Sequence, residues 1–217
     1  MVKSSRGLLC KAAALGNLTV VGSVAALWGV AACGSGQDVT PAGAVQRSQE
    51  SRMPPWELPA DPVKGAREAG LSVQPMEGAV KHFHSHMDII VNGKPIPVAA
   101  NLGVSTAEQV MSELHTHDAS GVIHIEAFTT DKRYSLGQLF KEWEVRLDST
   151  HLGGLTAAGK NVLRAYVNGN QVHGDPRTIE LLPRQEIALV YGPAGELVDV
   201  PSTYTFPADL GEVLPAG

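Results

Sequence analysis

Cysteine is nearly absent from this chain. There are two in 217 residues, Cys10 and Cys33, and both stand within the first 33 positions. Whatever folds beyond them has no thiol for a disulfide or a metal thiolate, which excludes a cysteine-ligated blue-copper centre. An excess of positive charge is also missing: the formal net charge is −5. Nucleic-acid binding depends on neutralising phosphates, so an acidic chain is a poor candidate for it, whereas attraction of cations is compatible. No G-x-S-x-G elbow, Walker loop, C-x-x-C pair or dinucleotide fingerprint occurs, which removes the commonest nucleophilic, nucleotide and redox signatures.

Charge is absent altogether from Ala12 to Ala32, after a basic start at Lys3, Arg6 and Lys11. The run closes Val30-Ala31-Ala32-Cys33, followed by Gly34 and Ser35. A basic start, an apolar run and small residues before the break describe an export signal. The placement of Cys33 resembles the lipobox of bacterial lipoproteins, with Val30 where leucine is usual. That resemblance implies that Cys33 carries lipid and becomes the first mature residue. The alternative is a transmembrane anchor, since the run is nearly long enough to span a bilayer. On either reading the remainder is expected on the extracytoplasmic face, tethered to the cell membrane. The lipoprotein reading divides the chain into a signal peptide (1–32), a flexible tether (33–53) and one domain (54–217). Removing 32 residues leaves 185, enough for a real core. Because the signal holds three cations and no anion, the remainder carries −8. The tether is small and polar, and twenty such residues reach at most roughly 65 Å.

Beyond it, Pro54-Pro55-Trp56 marks a change of character, with Trp56 expected to dock on the domain. Asp61-Pro62 suits a helix start, with Asp61 as cap, that would stop near Gly70. From Val80 the pattern is β. His82 to Val91, the turn signal Asn92-Gly93 and a return over Pro95 to Ala99 predict a hairpin, and two prolines in the return place it at an edge. A second hairpin is expected around Asp118-Ala119-Ser120-Gly121, with His117 facing Val122, His115 facing His124 and Glu113 facing Glu126. Ser135 with Gln138 three residues on forms a capping box, opening a helix to Val145 whose Leu136, Leu139, Phe140 and Trp143 form an apolar stripe. Val162–Val167, Asn168-Gly169 and Gln171-Val172 repeat the hairpin pattern, strands are expected over Ile179–Leu182 and Glu186–Tyr191, and the proline-rich end is expected to wrap the surface through Tyr204 and Phe206. The sum is an α+β domain, mainly antiparallel hairpins with one firm amphipathic helix and a β-grasp-like second half.

Six of the eight histidines fall in two stretches, H-F-H-S-H-M-D at His82–Asp88 and L-H-T-H-D-A-S-G-V-I-H-I-E at Leu114–Glu126. Alternation along a strand points His82, His84, His86 and Asp88 one way. Same-face neighbours stand about 6.6–7 Å apart, so two of the three histidines can share an ion readily and a third with difficulty. The expected centre therefore joins a pair such as His84 and His86 to one or more of His115, His117 and His124, with His82 a further candidate and room for a second ion. Asp88, Glu113 and Glu126 are candidates to orient the imidazoles by accepting their other N–H. The bland alternative is a polar network without metal. His151 and His173 stand outside the clusters and are expected to be structural. Imidazole suits copper or zinc. The Irving–Williams order and an exported setting put copper first, and Met87, on the opposite face, adds no thioether ligand.

The combination H-F-H-S-H-M-D-I-I-V-N-G, L-H-T-H-D-A-S-G-V-I-H-I-E and Y-S-L-G-Q-L-F-K-E-W resembles a family of exported, histidine-rich prokaryotic proteins to which no reaction is attached. The resemblance covers roughly Val80 to Tyr191. It implies an extracytoplasmic domain in which both clusters belong together. The metallo-β-lactamase motif H-x-H-x-D-H fits less well, because His84-Ser85-His86-Met87-Asp88 lacks the following histidine, and a cupin barrel leaves no place for the helix. Three functions remain in play: capture or buffering of copper or zinc with no protein partner specified, a mononuclear or dinuclear metalloenzyme, and an assembly or interaction lipoprotein.

Overall fold

The computed structural model describes residues 51–75 and 80–214, all within one compact unit spanning Thr40–Gly217. The export signal, Cys33 and most of the tether lie outside the described residues. Among those described, no helix is long and apolar enough to cross a membrane.

The chain opens with helix α1 (Pro62–Glu68), where Asp61 Oδ1 accepts from the Lys64 N–H 2.9 Å away. A short strand, β1 (Val73–Gln74), leads to the first long strand, β2 (Lys81–Val91), and its return β3 (Lys94–Ile96). The turn between them has positive φ at both Asn92 and Gly93, the primed geometry that matches strand twist and that this dipeptide favours. Pro97 closes β3, which pairs only with the end of β2. Strands β4 (Val104–Ser105) and β5 (Val110–Ser112) form a small sheet with β1. The second histidine hairpin follows as β6 (Leu114–His115) and β7 (Val122–Ala127), in the expected register with His115 opposite His124.

Helix α2 (Leu136–Glu142) begins at the Ser135 cap, whose N–H donates to Gln138 Oε1 at 3.1 Å. Its stripe, Leu136, Leu139 and Phe140, is buried together with Trp143 just beyond it. Trp56 docks edge-on against Trp143 with ring centres 5.9 Å apart. A small hairpin, β8 (His151–Leu152) and β9 (Leu155–Thr156), occupies the glycine-rich connection. The last strands are β10 (Asn161–Val167), β11 (Asn170–Val172) and β12 (Glu186–Pro193), with Asn168-Gly169 repeating the positive-φ turn.

The main sheet runs β11-β10-β12-β2-β7-β6, antiparallel except that β12 lies parallel to β2. The fold is thus α+β and sheet-dominated. The sheet is not confined to the second half. It begins at the first hairpin, because the last strand, β12, joins β2 in parallel. The strand expected over Ile179–Leu182 is not formed. A single 3₁₀ turn at Pro176–Thr178 precedes it, Pro183 ends it, and it makes one bridge, Ser135 to Glu180, beside the helix start.

β2 is buried on both faces. Its odd positions Phe83, Met87 and Ile89 join Ile123, Ile125, Ile187, Leu189 and the α2 stripe in one apolar core. Full burial of each such side chain contributes about 1.5–3 kcal/mol. The even positions, His82, His84, His86 and Asp88, turn to the opposite face. That face is bordered by the C-terminal segment, where Tyr204 stacks on His86 at 3.7 Å between ring centres and Val213 exchanges two backbone hydrogen bonds with His82.

Candidate metal centre

Sheet pairing, more than any one strand, gathers the imidazoles. In the antiparallel β2–β7 pair, His84 lies opposite His124 and His82 opposite Glu126; in β6–β7, His115 lies opposite His124. Three adjacent strands therefore bring their histidines onto one face, with His124 in the middle. Two groups could hold a metal ion there, His82–His84–His124 and His115–His117–His124, their ligand atoms within 4.8 Å of one another. They share His124.

In the first group His84 Nε2 stands 3.1 Å from His82 Nε2 and 3.0 Å from His124 Nδ1. A neutral ring nitrogen carries either one proton or one lone pair in the ring plane. It can therefore make one good hydrogen bond, and His84 Nε2 faces two nitrogens. Two ligands on one tetrahedral zinc at about 2.0–2.1 Å stand about 3.3 Å apart, close to what is observed. The expected pairing of His84 with His86 is replaced by His84 with His82, because both rings lean toward β7.

In the second group His115 Nδ1 lies 2.9 Å from the Ser112 carbonyl, so Nδ1 donates and Nε2 is left as a bare lone pair. That Nε2 is buried, has no hydrogen-bond partner, and lies 3.9 Å from Glu126 Oε1. An imidazole fixed by a backbone carbonyl on one nitrogen presents the other as a ligand. His115 and His124 stack at 5.1 Å, and His117, the exposed member, meets His124 at 4.4 Å between centres. His117 and His124 line the mouth of a cavity of about 240 Å³ bounded by Tyr204, Pro207 and Leu210.

Burial sets the electrostatics. Desolvation, then the neighbouring His82, lowers the pKa of His84 to about 4; burial lowers that of His115 to about 4 as well. Burial first, then the surrounding histidines, lowers that of His124 to about 2. These rings are neutral at ordinary pH, the form in which imidazole binds metal. Glu126 supplies the nearest anion, 3.2 Å from His82 Nε2.

His86 stands apart. Its Nδ1 lies 2.7 Å from Glu186 Oε2 and its Nε2 2.8 Å from the Ser120 carbonyl. Both partners accept when Glu186 is ionised, and the doubly protonated ring is then charged, although burial raises the pKa of Glu186 itself. Burial opposes that charge, but the Glu186 hydrogen bond and carboxylate outweigh it and hold the pKa above the ordinary value. His86 forms a third carboxylate-rich group with Asp88 and Glu186, separate from the histidine centre. Asp88 belongs to that group and touches none of the other five rings among the described contacts.

Glu113 departs from its expected role. The chain bends between β5 and β6, and the carboxylate turns away to take the Ser72 N–H at 2.7 Å, the Tyr134 hydroxyl at 3.0 Å and Lys132. It meets no imidazole among the described residues. His151 is held by Asp148, its Nδ1 3.0 Å from Oδ1, and stays outside the centre.

Two further acidic residues reach this face. Glu186 opens β12 directly beside His86 in the parallel pair, and Glu212 lies with Oε1 3.9 Å from His84 Nδ1. Neither carries a local signal, since both reach the face through long-range pairing. No model of a known protein family matches the chain, no curated protein is similar to it, and no solved structure matches its fold.

Proposed function

We propose that this protein is a lipid-anchored, extracytoplasmic metal-binding protein that captures copper, or zinc as second choice, at the histidine centre. The observation that carries the reading is His84 Nε2, set within 3.1 Å of two other ring nitrogens that it cannot both satisfy by hydrogen bonding. A cation held by His82, His84 and His124 resolves that crowding, and the bare His115 Nε2, grouped with His117, offers a further ligand across the shared His124. The all-nitrogen donor set favours copper by the Irving–Williams order. The lipid on Cys33 and the export signal rest on the sequence pattern, as does membership of the exported histidine-rich family.

A metalloenzyme is the second reading, and the cavity beside His117 and His124 favours it. An ion there could keep a position open for water or a small substrate, with Glu126 as the acid–base group.

Metal analysis of the purified protein, with Cu(II) and Zn(II) titration followed by thermal unfolding, tests both. A ligand bound only by the folded state must stabilise it, by about 2.7 kcal/mol at a hundredfold excess over Kd. Protein that contains no metal and gains no stability from either ion sinks both readings. Spectroscopy showing an exchangeable water on bound metal favours the enzyme, and a closed protein shell favours the binder.

A further inference from the structure

The C-terminal segment brings a carboxylate to His84, a fully buried member of the centre. Val213 is clamped to β2, its N–H donating to the His82 carbonyl at 2.7 Å and its carbonyl accepting from the His82 N–H at 2.8 Å. The preceding residue, Glu212, is thereby set beside His84. Its Oε2 accepts from Arg184 Nε and Nη2 at 3.2 and 3.1 Å. The other oxygen, Oε1, is buried without a hydrogen-bond partner and stands 3.9 Å from His84 Nδ1, which is also buried and unpartnered. Leaving a buried polar atom unpaired is costly. Here two complementary unpaired atoms face each other, about 1 Å beyond hydrogen-bond distance.

We propose that Glu212 is a positioning residue for metal binding, its Oε1 accepting the Nδ1–H of His84 while His84 Nε2 faces the ion. This inference rests on the metal-binding reading of the site. The Arg184 clamp on Oε2 leaves only Oε1 to serve His84, and orients it. Acceptance by a carboxylate fixes the His84 tautomer with the proton on Nδ1, bares Nε2 toward His82 and His124, and raises the basicity of the ligand. The same contact links site occupancy to the C-terminal segment: an ion on His84 strengthens the bond to Glu212 and holds residues 204–213 against the histidine face. Glu212 thus does for His84 what the Ser112 carbonyl does for His115.

The test is Zn(II) titration of the full chain against a competing chelator, for the native protein, Glu212→Ala, Glu212→Gln and, on the same segment, Asp209→Asn. Loss of an outer partner of a ligating histidine weakens metal binding about 10–100-fold. That loss is expected for Glu212→Ala, a smaller one for Glu212→Gln, whose amide oxygen can still accept, and none for Asp209→Asn. Nitrogen NMR of the zinc-loaded native protein should show His84 protonated at Nδ1, with a proton shielded from exchange that changes in Glu212→Gln. This signature carries the test even if Glu212→Ala fails to fold. Native zinc affinity in the Glu212 variants, with the His84 Nδ1 signal unmoved, overturns the inference and leaves the metal site standing. A native protein that binds no zinc removes the reading beneath it.

Discussion

His84 on β2 and His124 on β7 lie directly opposite in an antiparallel pair, and their ring nitrogens approach to 3.0 Å. This contact joins the two histidine stretches, and His124 extends it to His115 on the far side. The central position of His124 makes it the residue on which both candidate groups depend.

His124→Ala should accordingly weaken Cu(II) and Zn(II) binding more than any other single histidine change. His84→Ala should follow closely, each by more than about 100-fold, since an outer partner alone is worth about 10–100-fold. His117→Ala, at the exposed rim, should cost less. Competition titrations give the order, and a His117 effect larger than that of His124 would contradict a centre built around the shared residue.

His86→Ala should behave differently. It leaves Glu186 buried and unpaired, and breaking a buried pair in this way costs about 3–5 kcal/mol. Denaturant unfolding should show that loss, while the affinity of the folded variant for metal stays within a few-fold of native. A collapse of affinity with stability unchanged would place His86 inside the centre.

Glu142 gives the metal-free protein a pH dependence of its own. It is fully buried at the end of α2, and desolvation first, then the nearby Glu113, pushes its pKa well above the usual carboxyl range, against the opposing Ser112 hydroxyl. The unfolded chain releases this proton near its ordinary pKa, whereas the folded protein keeps it. Stability contributed by Glu142 is therefore full below about pH 4.5 and falls as pH rises toward the folded value. Glu142→Gln should flatten that part of the curve in urea midpoints compared between about pH 4 and pH 8. An unchanged slope would show that Glu142 ionises freely in the fold.

Gly121 closes the turn before β7 at φ +90°, and a Cβ there would come within 2.4 Å of the Met87 carbonyl oxygen and 2.9 Å of His86 Nε2. Gly121→Ala should destabilise by more than the ~1–3 kcal/mol of backbone strain alone, because neither neighbour can retreat without disturbing β2. A thermal shift near zero would mean that the turn relaxes without loss.

Much of the architecture is written in local pattern. Asp61-Pro62 and the Ser135–Gln138 box start helices because capping is settled within a few residues. Asn92-Gly93 and Asn168-Gly169 turn strands because their backbone preference is local too. The register of the second hairpin follows from the same reasoning: a slip of one residue would move its histidines to the other face. Ile179–Leu182 misled because its apolar run resembles a strand, while the flanking prolines restrict the pairing that would make it one.

Local pattern is enough to alternate the histidines onto common faces, to set His115 against His124, and to leave no competing thiolate beyond Cys33. Which imidazoles converge depends on long-range pairing. The order of strands around β2 sets His84 against His124 and gives His86 to Glu186. The bend at Glu113 takes that carboxylate to Ser72, Tyr134 and Lys132. The clamp at Val213 delivers Glu212 to His84. Each of these depends on pairings between residues far apart in the chain, whose partners no local propensity specifies.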